Sequence, residues 1–258
     1  MNIAAGTRGW AWRGQVGLTI GSCLSATLPL AAHYGSVSAV TFIAVTNYLK
    51  AINQPFESYA TAFLAVMESP AILVGVVLGK LAPREAGEAS GASLKQAIHE
   101  AIFGRSIFLL VGALVVGALC GETGMKKVEA FFVTPFQGVL ALFLLEMGIV
   151  AGRRLGDLRK VGPFLLAFGI VVPLINRALG VYLGKLTGLE LGGATLLGVL
   201  SASASYIAAP AAIRMLLPDA NPTLYLTSSL AITFPFNITL GIPIYLEIAR
   251  SETGDHRL

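Results

Sequence analysis

The chain has 258 residues, of which 55% are hydrophobic and only 12% are charged, and its formal net charge is +4. A soluble domain usually carries about a quarter charged residues, so the composition excludes an ordinary soluble fold and predicts an integral membrane protein. The basic residues lie in loops between apolar stretches and not on one face of a domain, which excludes a nucleic-acid-binding protein.

The first residues of the chain, 1–14 (MNIAAGTRGWAWRG), match no other part of it, and an apolar stretch at 15–32 follows them. Arg8 and Arg13 ahead of that stretch, and the small residues at its end, are typical of a secretory signal peptide. The internal repeat described below favours the alternative, in which 15–32 belongs to a transmembrane unit.

Apolar stretches then follow one another along the chain, most of them close to the roughly 20 residues that a helix needs to cross a bilayer. They lie at 57–79, 131–151, 161–184, 191–213 and 223–249, with a shorter stretch at 106–121. With the crossing that precedes 57–79, they predict about seven crossings. The predicted fold class is therefore an all-α, multi-pass protein of the cell (inner or plasma) membrane.

Two serine-rich segments, HYGSVSAVTF at 33–42 and LSASASYIAAP at 200–210, interrupt this apolar pattern. With an offset of 167 positions, Ser36 aligns with Ser203 and Ser38 with Ser205, and further identities follow in the same order on both sides. Single identities are common in a sequence of such low diversity, but a collinear series is not. The sequence therefore predicts an internal duplication.

Duplicated halves are frequent in secondary transporters, where inverted repeats flank a substrate site near the membrane midplane. Three crossings precede the serines of the second copy, whereas only about 33 residues precede those of the first. We therefore expect two inverted five-helix repeats, the first incomplete through N-terminal truncation or a misassigned start. The predicted segments are an unmatched N-terminal segment at 1–14, an incomplete first transmembrane repeat at 15–80, a cytoplasmic linker at 81–105, the second transmembrane repeat at 106–250 and a C-terminal tail at 251–258.

The charged loops predict an orientation in the membrane. Basic residues are concentrated in 80–105 and in 152–160 (GRRLGDLRK), and two predicted crossings separate these loops. Both loops therefore face the same side, which is the cytoplasmic side by the enrichment of Lys and Arg.

The serine-rich segments support two interpretations. In the first, each is a broken helix whose open backbone N–H groups and serine hydroxyls bind an anion, since helix N-termini favour negative charge. In the second, small residues allow helices to pack closely. Their recurrence at equivalent repeat positions, each ahead of a proline-containing segment, favours the first interpretation.

A few ionisable residues lie within predicted crossings, where charge is costly and often functional. Glu68, before Ser69-Pro70, is a candidate cation ligand or proton carrier. Glu146 and Arg177 are interpreted as structural, with Arg177 extending to the outer surface. His33 is interpreted as a packed or interfacial histidine.

No pattern in the sequence predicts catalysis. The chain contains no P-loop, HExxH or GxSxG motif. Cys23 and Cys120 lie in apolar surroundings without CxxC or Cys/His spacing, so they predict neither a disulfide framework nor a metal site. We expect a protein that is not an enzyme and that has no catalytic residue.

From about residue 30 to 249 the chain resembles the sodium-dependent bicarbonate transporter superfamily, the permeases typified by the cyanobacterial high-affinity bicarbonate transporter. The motifs that carry the resemblance are HYGSVSAVTF, AVMESPAI, EMGIVAGRRLGDLRKVG, SASASYIAAPAAIRMLLPDANPTLY and SSLAITFPFNITLGIPIYL. The resemblance implies ten-helix proteins built from two inverted five-helix repeats, with Na⁺ and bicarbonate bound where two broken helices meet.

By the same resemblance, binding motifs include Ser38 and Thr41 in the first repeat and Ser203 and Ser205 in the second. Glu68 falls where the cyanobacterial type has an aspartate. The paired serines of that type correspond to Ser228 and Ser229. The chain departs from the pattern at Ser203-Ala204-Ser205-Tyr206, where the cyanobacterial type has Ser-Ser-Ser-Asp, so an acidic cation ligand is replaced by a phenol.

The leading hypothesis is a Na⁺-coupled permease for bicarbonate or a similar small anion, working by alternating access. The predicted substrate-binding residues are Ser36, Ser38, Ser203, Ser205 and Tyr206. The predicted cation-binding residues are Thr41, Glu68, Ser228, Ser229 and Thr233. Na⁺ as coupling ion is the one metal expected, and no cofactor is expected.

Two alternatives stay open: a carrier of a small organic acid whose pocket Tyr206 reshapes, and a truncated, non-transporting membrane protein that acts as a sensor or assembly partner. The expected partners are the small anion and the lipid bilayer. By resemblance, they also include a trimer of the chain and a PII-like cytoplasmic regulator.

Overall fold

The structure is a computed structural model that describes residues 29–68, 74, 95, 99, 103, 105–206, 209–210, 213–214 and 222–253. Within these ranges the chain forms helices joined by turns and short linkers, and no strand occurs among them. The prediction of an all-α protein is confirmed. The predicted segments 1–14 and 251–258 and the predicted linker 81–105 lie wholly or largely outside the described residues.

The first described unit is a helix interrupted at the first serine-rich segment. Helix α1 spans 29–35, and α2 spans Ala39–Ala51. Between them the backbone at 36–38 is not helical, and Ser38 has an extended conformation at φ −112° and ψ 117°. After a short 3₁₀ turn at Ser58–Ala60, helix α3 spans 61–68.

The middle of the chain holds three long helices. The first and the third each contain one glycine in a conformation that L side chains rarely adopt. Helix α4 spans Arg105–Phe132 and changes direction at Gly121, whose φ is 57°. Helix α5 spans Phe136–Arg154. The predicted crossing 131–151 therefore starts too early, because a turn separates Phe132 from Phe136.

Helix α6 spans Leu158–Leu186 and contains the second such glycine, Gly162, at φ 71°. Its apolar part, Gly162–Leu186, is long enough to cross a bilayer. Helix α7 spans Leu191–Ser201 and ends at the second serine-rich segment. The chain is not helical from 203 to 206 and is helical again at 209–210 and 213–214.

The last helix, α8, contains three α-helical parts, Pro222–Leu226, Phe234–Phe236 and Ile242–Thr253. They are joined by π-helical segments at Thr227–Thr233 and Asn237–Gly241. Such wide turns are often found at functional sites. Taken as one helix, α8 is also long and apolar enough to cross a membrane.

Small residues allow α6 and α7 to pack closely. A Cβ on Gly180 would lie 2.8 Å from the Cα of Gly198, and a Cβ on Gly198 would lie 2.6 Å from a methyl carbon of Val181. Glycine at such contacts lets two helix backbones approach, which is the usual packing of helices in membranes. The contact fixes α7, and therefore the start of its break, against the neighbouring helix.

Loops from the two predicted repeats meet at one end of the molecule. The Glu57 carboxylate, between α2 and α3, accepts a hydrogen bond from the backbone N–H of Glu190 at 2.7 Å. Glu190 is the residue before α7. A Cβ on Gly193 would collide with the same carboxylate. The negative charge of Glu57 therefore lies at the N-terminus of α7, where it is stabilising.

Helix α4 presents large apolar side chains at the surface of the described structure. Phe108, Leu109, Leu119 and Phe131 are all more than 60% exposed. These apolar side chains lie on both sides of an exposed charged stretch at 122–129. A soluble protein rarely exposes large apolar patches, whereas a helix against hydrocarbon does. The surface of α4 fits the membrane environment that the composition predicts.

Candidate functional site

The two breaks touch each other. The backbone N–H of Ser38 donates to Ser203 Oγ at 3.0 Å. The backbone N–H of Ser205 donates to the carbonyl oxygen of His33 at 2.8 Å. The structure therefore brings the predicted serine segments together. We call residues 33–38 and 202–206, where the two broken helices meet, the crossing, and from here on a membrane-crossing segment is called a span.

Each break is followed by a helix start that a serine caps. Ser38 Oγ accepts a hydrogen bond from the N–H of Thr41 at 3.2 Å, and Ser205 Oγ accepts one from the N–H of Ala209 at 3.1 Å. Ser38 and Ser205 are equivalent under the repeat offset. Helix α2 therefore begins at the crossing, and helical residues 209–210 follow Ser205 closely. The partial positive charge of a helix N-terminus favours an anion there.

The four predicted serines differ in what their hydroxyl protons do. Ser36 donates to the carbonyl oxygen of Glu68 at 3.2 Å, and Ser203 donates to the carbonyl oxygen of Leu200 at 2.7 Å. Ser38 and Ser205 act only as acceptors in their bonds to described residues. Since a hydroxyl has one proton to donate, only the second pair keeps it available for a ligand.

Tyr206 and Thr41 place two further hydroxyl groups at the crossing. Both residues are buried, and the Tyr206 hydroxyl lies close to the Thr41 side chain. The Tyr206 hydroxyl also lies near the backbone of Ala204, but neither it nor the Thr41 hydroxyl reaches full hydrogen-bond geometry with a described residue. The Tyr206 ring packs edge-on against Phe234, with centroids 5.0 Å apart. Buried polar groups are nearly always hydrogen-bonded, so a missing partner here points to a ligand or water.

Two of the three predicted cation ligands on α8, Ser228 and Thr233, form a separate hydroxyl cluster around Tyr34. The Tyr34 hydroxyl lies 2.8 Å from Ser228 Oγ and 2.7 Å from Thr233 Oγ1. Thr233 donates to the carbonyl oxygen of Gly169 at 2.6 Å. Ser229 is not in this cluster, because its hydroxyl donates to the carbonyl oxygen of Tyr225 within α8.

Glu68 approaches the crossing through its backbone. Its carbonyl oxygen accepts the Ser36 hydroxyl, whereas its half-buried side chain makes no contact with the hydroxyl cluster in the described structure. The structure therefore places Thr41 at the crossing, and Ser228 and Thr233 in the hydroxyl cluster around Tyr34. Glu68 reaches the crossing through its backbone carbonyl.

Asn237 links the second break to α8 and was not among the predicted site residues. Its side-chain N–H donates to the carbonyl oxygen of Ala202 at 2.9 Å, and its oxygen accepts the Tyr245 hydroxyl at 2.7 Å. An asparagine within an apolar span, two residues after Pro235, is the signal that could have identified it. Tyr34, next to the first serines, was missed in the same way.

His33 is fully buried beside the crossing, as a packed histidine would be. Its Nδ1 lies 2.7 Å from the carbonyl oxygen of Pro29, and its ring packs against Tyr225 with centroids 4.7 Å apart. Because a carbonyl can only accept, Nδ1 carries a proton. Nε2 has no partner among the described residues.

The other predicted membrane charges lie elsewhere. Glu146 is exposed on α5. Arg177 does not extend to the surface as expected, because its side chain is 3% exposed and forms an ion pair with Glu252 at 2.8 Å. The close approach of α6, α7 and the end of α8 buries it.

The comparison with protein families decides the identity of this fold. The family model of the Na⁺-dependent bicarbonate transporter superfamily matches residues 23–250, which include both breaks and all of α4 to α7. The chain belongs to the Na⁺-dependent bicarbonate transporter superfamily. It is therefore a membrane protein of a transporter superfamily, as its resemblance implied. No curated protein sequence matches the chain significantly.

Proposed function

We propose that this member of the superfamily is a secondary active permease that carries bicarbonate or a similar small anion, coupled to Na⁺, by alternating access. The observation that carries the proposal is the crossing, where two breaks with serine-capped helix starts are joined by the Ser38–Ser203 hydrogen bond. Discontinuous helices of this kind form substrate and ion sites in secondary transporters.

The anion would bind at the two helix starts. Ser38 and Ser205 would donate their hydroxyl protons, together with Tyr206, whose hydroxyl does not reach full hydrogen-bond geometry with Thr41 or Ala204. Ser36 and Ser203 would hold the backbone of each break in place, because their protons are already donated to carbonyl groups. Buried donors outside water bind an anion more strongly than exposed ones.

The cation would bind among oxygen atoms next to the anion. Thr41 has an unpartnered hydroxyl, and Tyr34, Ser228 and Thr233 form a cluster of three hydroxyl oxygens. Hard cations prefer oxygen ligands. Ser229 donates its proton to the Tyr225 carbonyl and keeps its oxygen lone pairs for a cation, but it lies outside this cluster. Glu68 would supply negative charge from the edge.

A second candidate substrate is a small organic acid. Tyr206 and Phe234 form an aromatic pair in the wall of the crossing, and such a wall would favour a carboxylate with an apolar part. This alternative keeps the same anion contacts and differs in the group that packs against the ring.

The test is uptake of labelled bicarbonate into proteoliposomes, with and without an inward Na⁺ gradient. We expect Na⁺-dependent uptake that Ser38→Ala abolishes and that Ser36→Ala reduces less, since Ser36 has no proton to offer. Thr239→Ala, which removes an exposed hydroxyl from α8, is the matched control. Uptake of small organic acids but not of bicarbonate would establish the alternative, and no flux of either anion would contradict both.

A further inference from the structure

Arg177 is a buried cation outside the crossing. It lies on α6, its side chain is 3% exposed, and its Cγ packs against α7 at Gly198. One nitrogen, Nη2, donates to Glu252 at 2.8 Å. The other two, Nε and Nη1, are buried and have no hydrogen-bond partner among the described residues.

The pairing with Glu252 leaves this charge incompletely compensated. The Glu252 side chain, in the last turn of α8, is 36% exposed, so water competes for its carboxylate. A guanidinium has five N–H donors and no acceptor, and two of its nitrogens here lack an oxygen atom. Charged groups at membrane depth that are not fully paired often lie on ion pathways.

The helix that pairs with Arg177 also borders the crossing. Glu252 lies in the last turn of α8, and earlier in the same helix Tyr245 donates to Asn237. Asn237 in turn donates to the carbonyl oxygen of Ala202, at the break after α7. Arg177 and the second break are therefore both bonded to α8, at different positions along it.

We propose that Arg177 forms a second anion site. There a small planar oxyanion of the bicarbonate class displaces the Glu252 carboxylate and binds the guanidinium, including the buried Nε and Nη1 that lack a partner among the described residues. The choice of this anion rests on the proposed function. The carboxylate acts as an internal substitute for the ligand, and an arriving anion replaces it. Planar oxyanions match the fork of guanidinium donors better than spherical ions do.

Competition between ligand and carboxylate gives the two partners opposite effects. Arg177→Met removes the donors, so it weakens anion binding. Glu252→Gln removes the competing charge, so it strengthens binding. If the pair were only structural, both changes would act in the same direction, because each breaks the same ion pair.

The experiment measures the thermal stability of the purified full chain, in phospholipid-free detergent, against increasing sodium bicarbonate, with sodium chloride at equal ionic strength as reference. The four proteins are the wild type, Arg177→Met, Glu252→Gln and the double variant. We expect the half-saturating bicarbonate concentration to fall about three- to tenfold in Glu252→Gln and to rise at least as much in Arg177→Met. No residue of the crossing is substituted in any of the four, so anion binding at the crossing itself is expected to contribute equally to them.

The double variant keeps the test informative if Arg177→Met alone fails to fold, because it removes both charges together. It should fold and should respond to bicarbonate as weakly as Arg177→Met. Equal half-saturating concentrations in all four proteins would overturn the inference, as would shifts of one sign in both single variants. Opposite shifts seen only after phospholipid is added would overturn it in favour of a lipid headgroup. Bicarbonate uptake without opposite shifts contradicts this inference alone, whereas opposite shifts without uptake contradict the proposed transport alone.

Discussion

The two breaks at the crossing share their helix caps and differ in how the rest of each break is held. Ser38 and Ser205 each accept a backbone N–H of the following helical segment, from the third residue on in the first break and from the fourth in the second. In the first break, Ser36 donates to α3 through the Glu68 carbonyl. In the second, Ser203 donates to its own helix at Leu200, and Asn237 of α8 holds the Ala202 carbonyl.

The difference between the breaks separates the need to cap a helix start from the need to place further polar groups beside it. A helix that starts inside a membrane must satisfy its first N–H groups, and both breaks meet that need with a serine, at positions that the offset of 167 relates. Under the same offset, Tyr206 corresponds to Ala39, so the first break has no phenol at that position. The capping serines are therefore common to both breaks, whereas Tyr206 has no counterpart in the first.

The largest expected effect tests the support that only the second break has. Asn237→Leu leaves both the Ala202 carbonyl and the Tyr245 hydroxyl buried without a partner. Each such loss costs about 1–3 kcal/mol, so we expect roughly 2–6 kcal/mol of destabilisation in all. Thermal unfolding of the purified protein measures it, with Thr239→Ala as control. An unchanged unfolding temperature would show that the second break does not depend on α8.

A smaller effect tests the packing that positions the second break. Gly198→Ala would place a Cβ 2.6 Å from Val181, in the contact between α6 and α7. Overpacking of this kind costs about 1–3 kcal/mol. Gly138→Ala on α5 is the matched control, since a Cβ there meets no atom within 4 Å. If the two alanine variants unfold at the same temperature, the close approach of α6 and α7 is not needed.

The two capping serines should contribute equally to the free energy of unfolding. Ser38→Ala and Ser205→Ala each remove one acceptor from a helix start, and the loss of a serine cap costs about 1 kcal/mol. We expect denaturant or thermal unfolding to show similar losses in both variants, together with loss of anion uptake. Loss of stability in only one variant would contradict the equivalence of the breaks.

The positions of both breaks could be predicted from the sequence, because the residues that cap a helix lie next to the break in the chain. A break needs small polar caps, so paired serines at a fixed offset indicated where both helices are interrupted. The directions of the hydroxyl groups could not be predicted, because they depend on partners far along the chain. Tyr34 meets Ser228 and Thr233 across about 200 residues, and Arg177 meets Glu252 across 75. Such pairs follow from how the helices cross, which no short motif specifies.

The smallest expected change in stability tests the phenol that only the second break carries. Tyr206→Phe removes a hydroxyl that does not reach full hydrogen-bond geometry with its neighbours Thr41 and Ala204, so unfolding should change by less than about 0.5 kcal/mol. Tyr34→Phe is the matched comparison, because it removes a hydroxyl with two partners and should cost about 1–2 kcal/mol. If Tyr206 contacts the anion, its variant should raise the half-saturating bicarbonate concentration for uptake while remaining as stable as the wild type. A loss of stability as large as that of Tyr34→Phe, with unchanged uptake, would assign Tyr206 to packing and leave Ser38 and Ser205 as the only anion donors in the proposal.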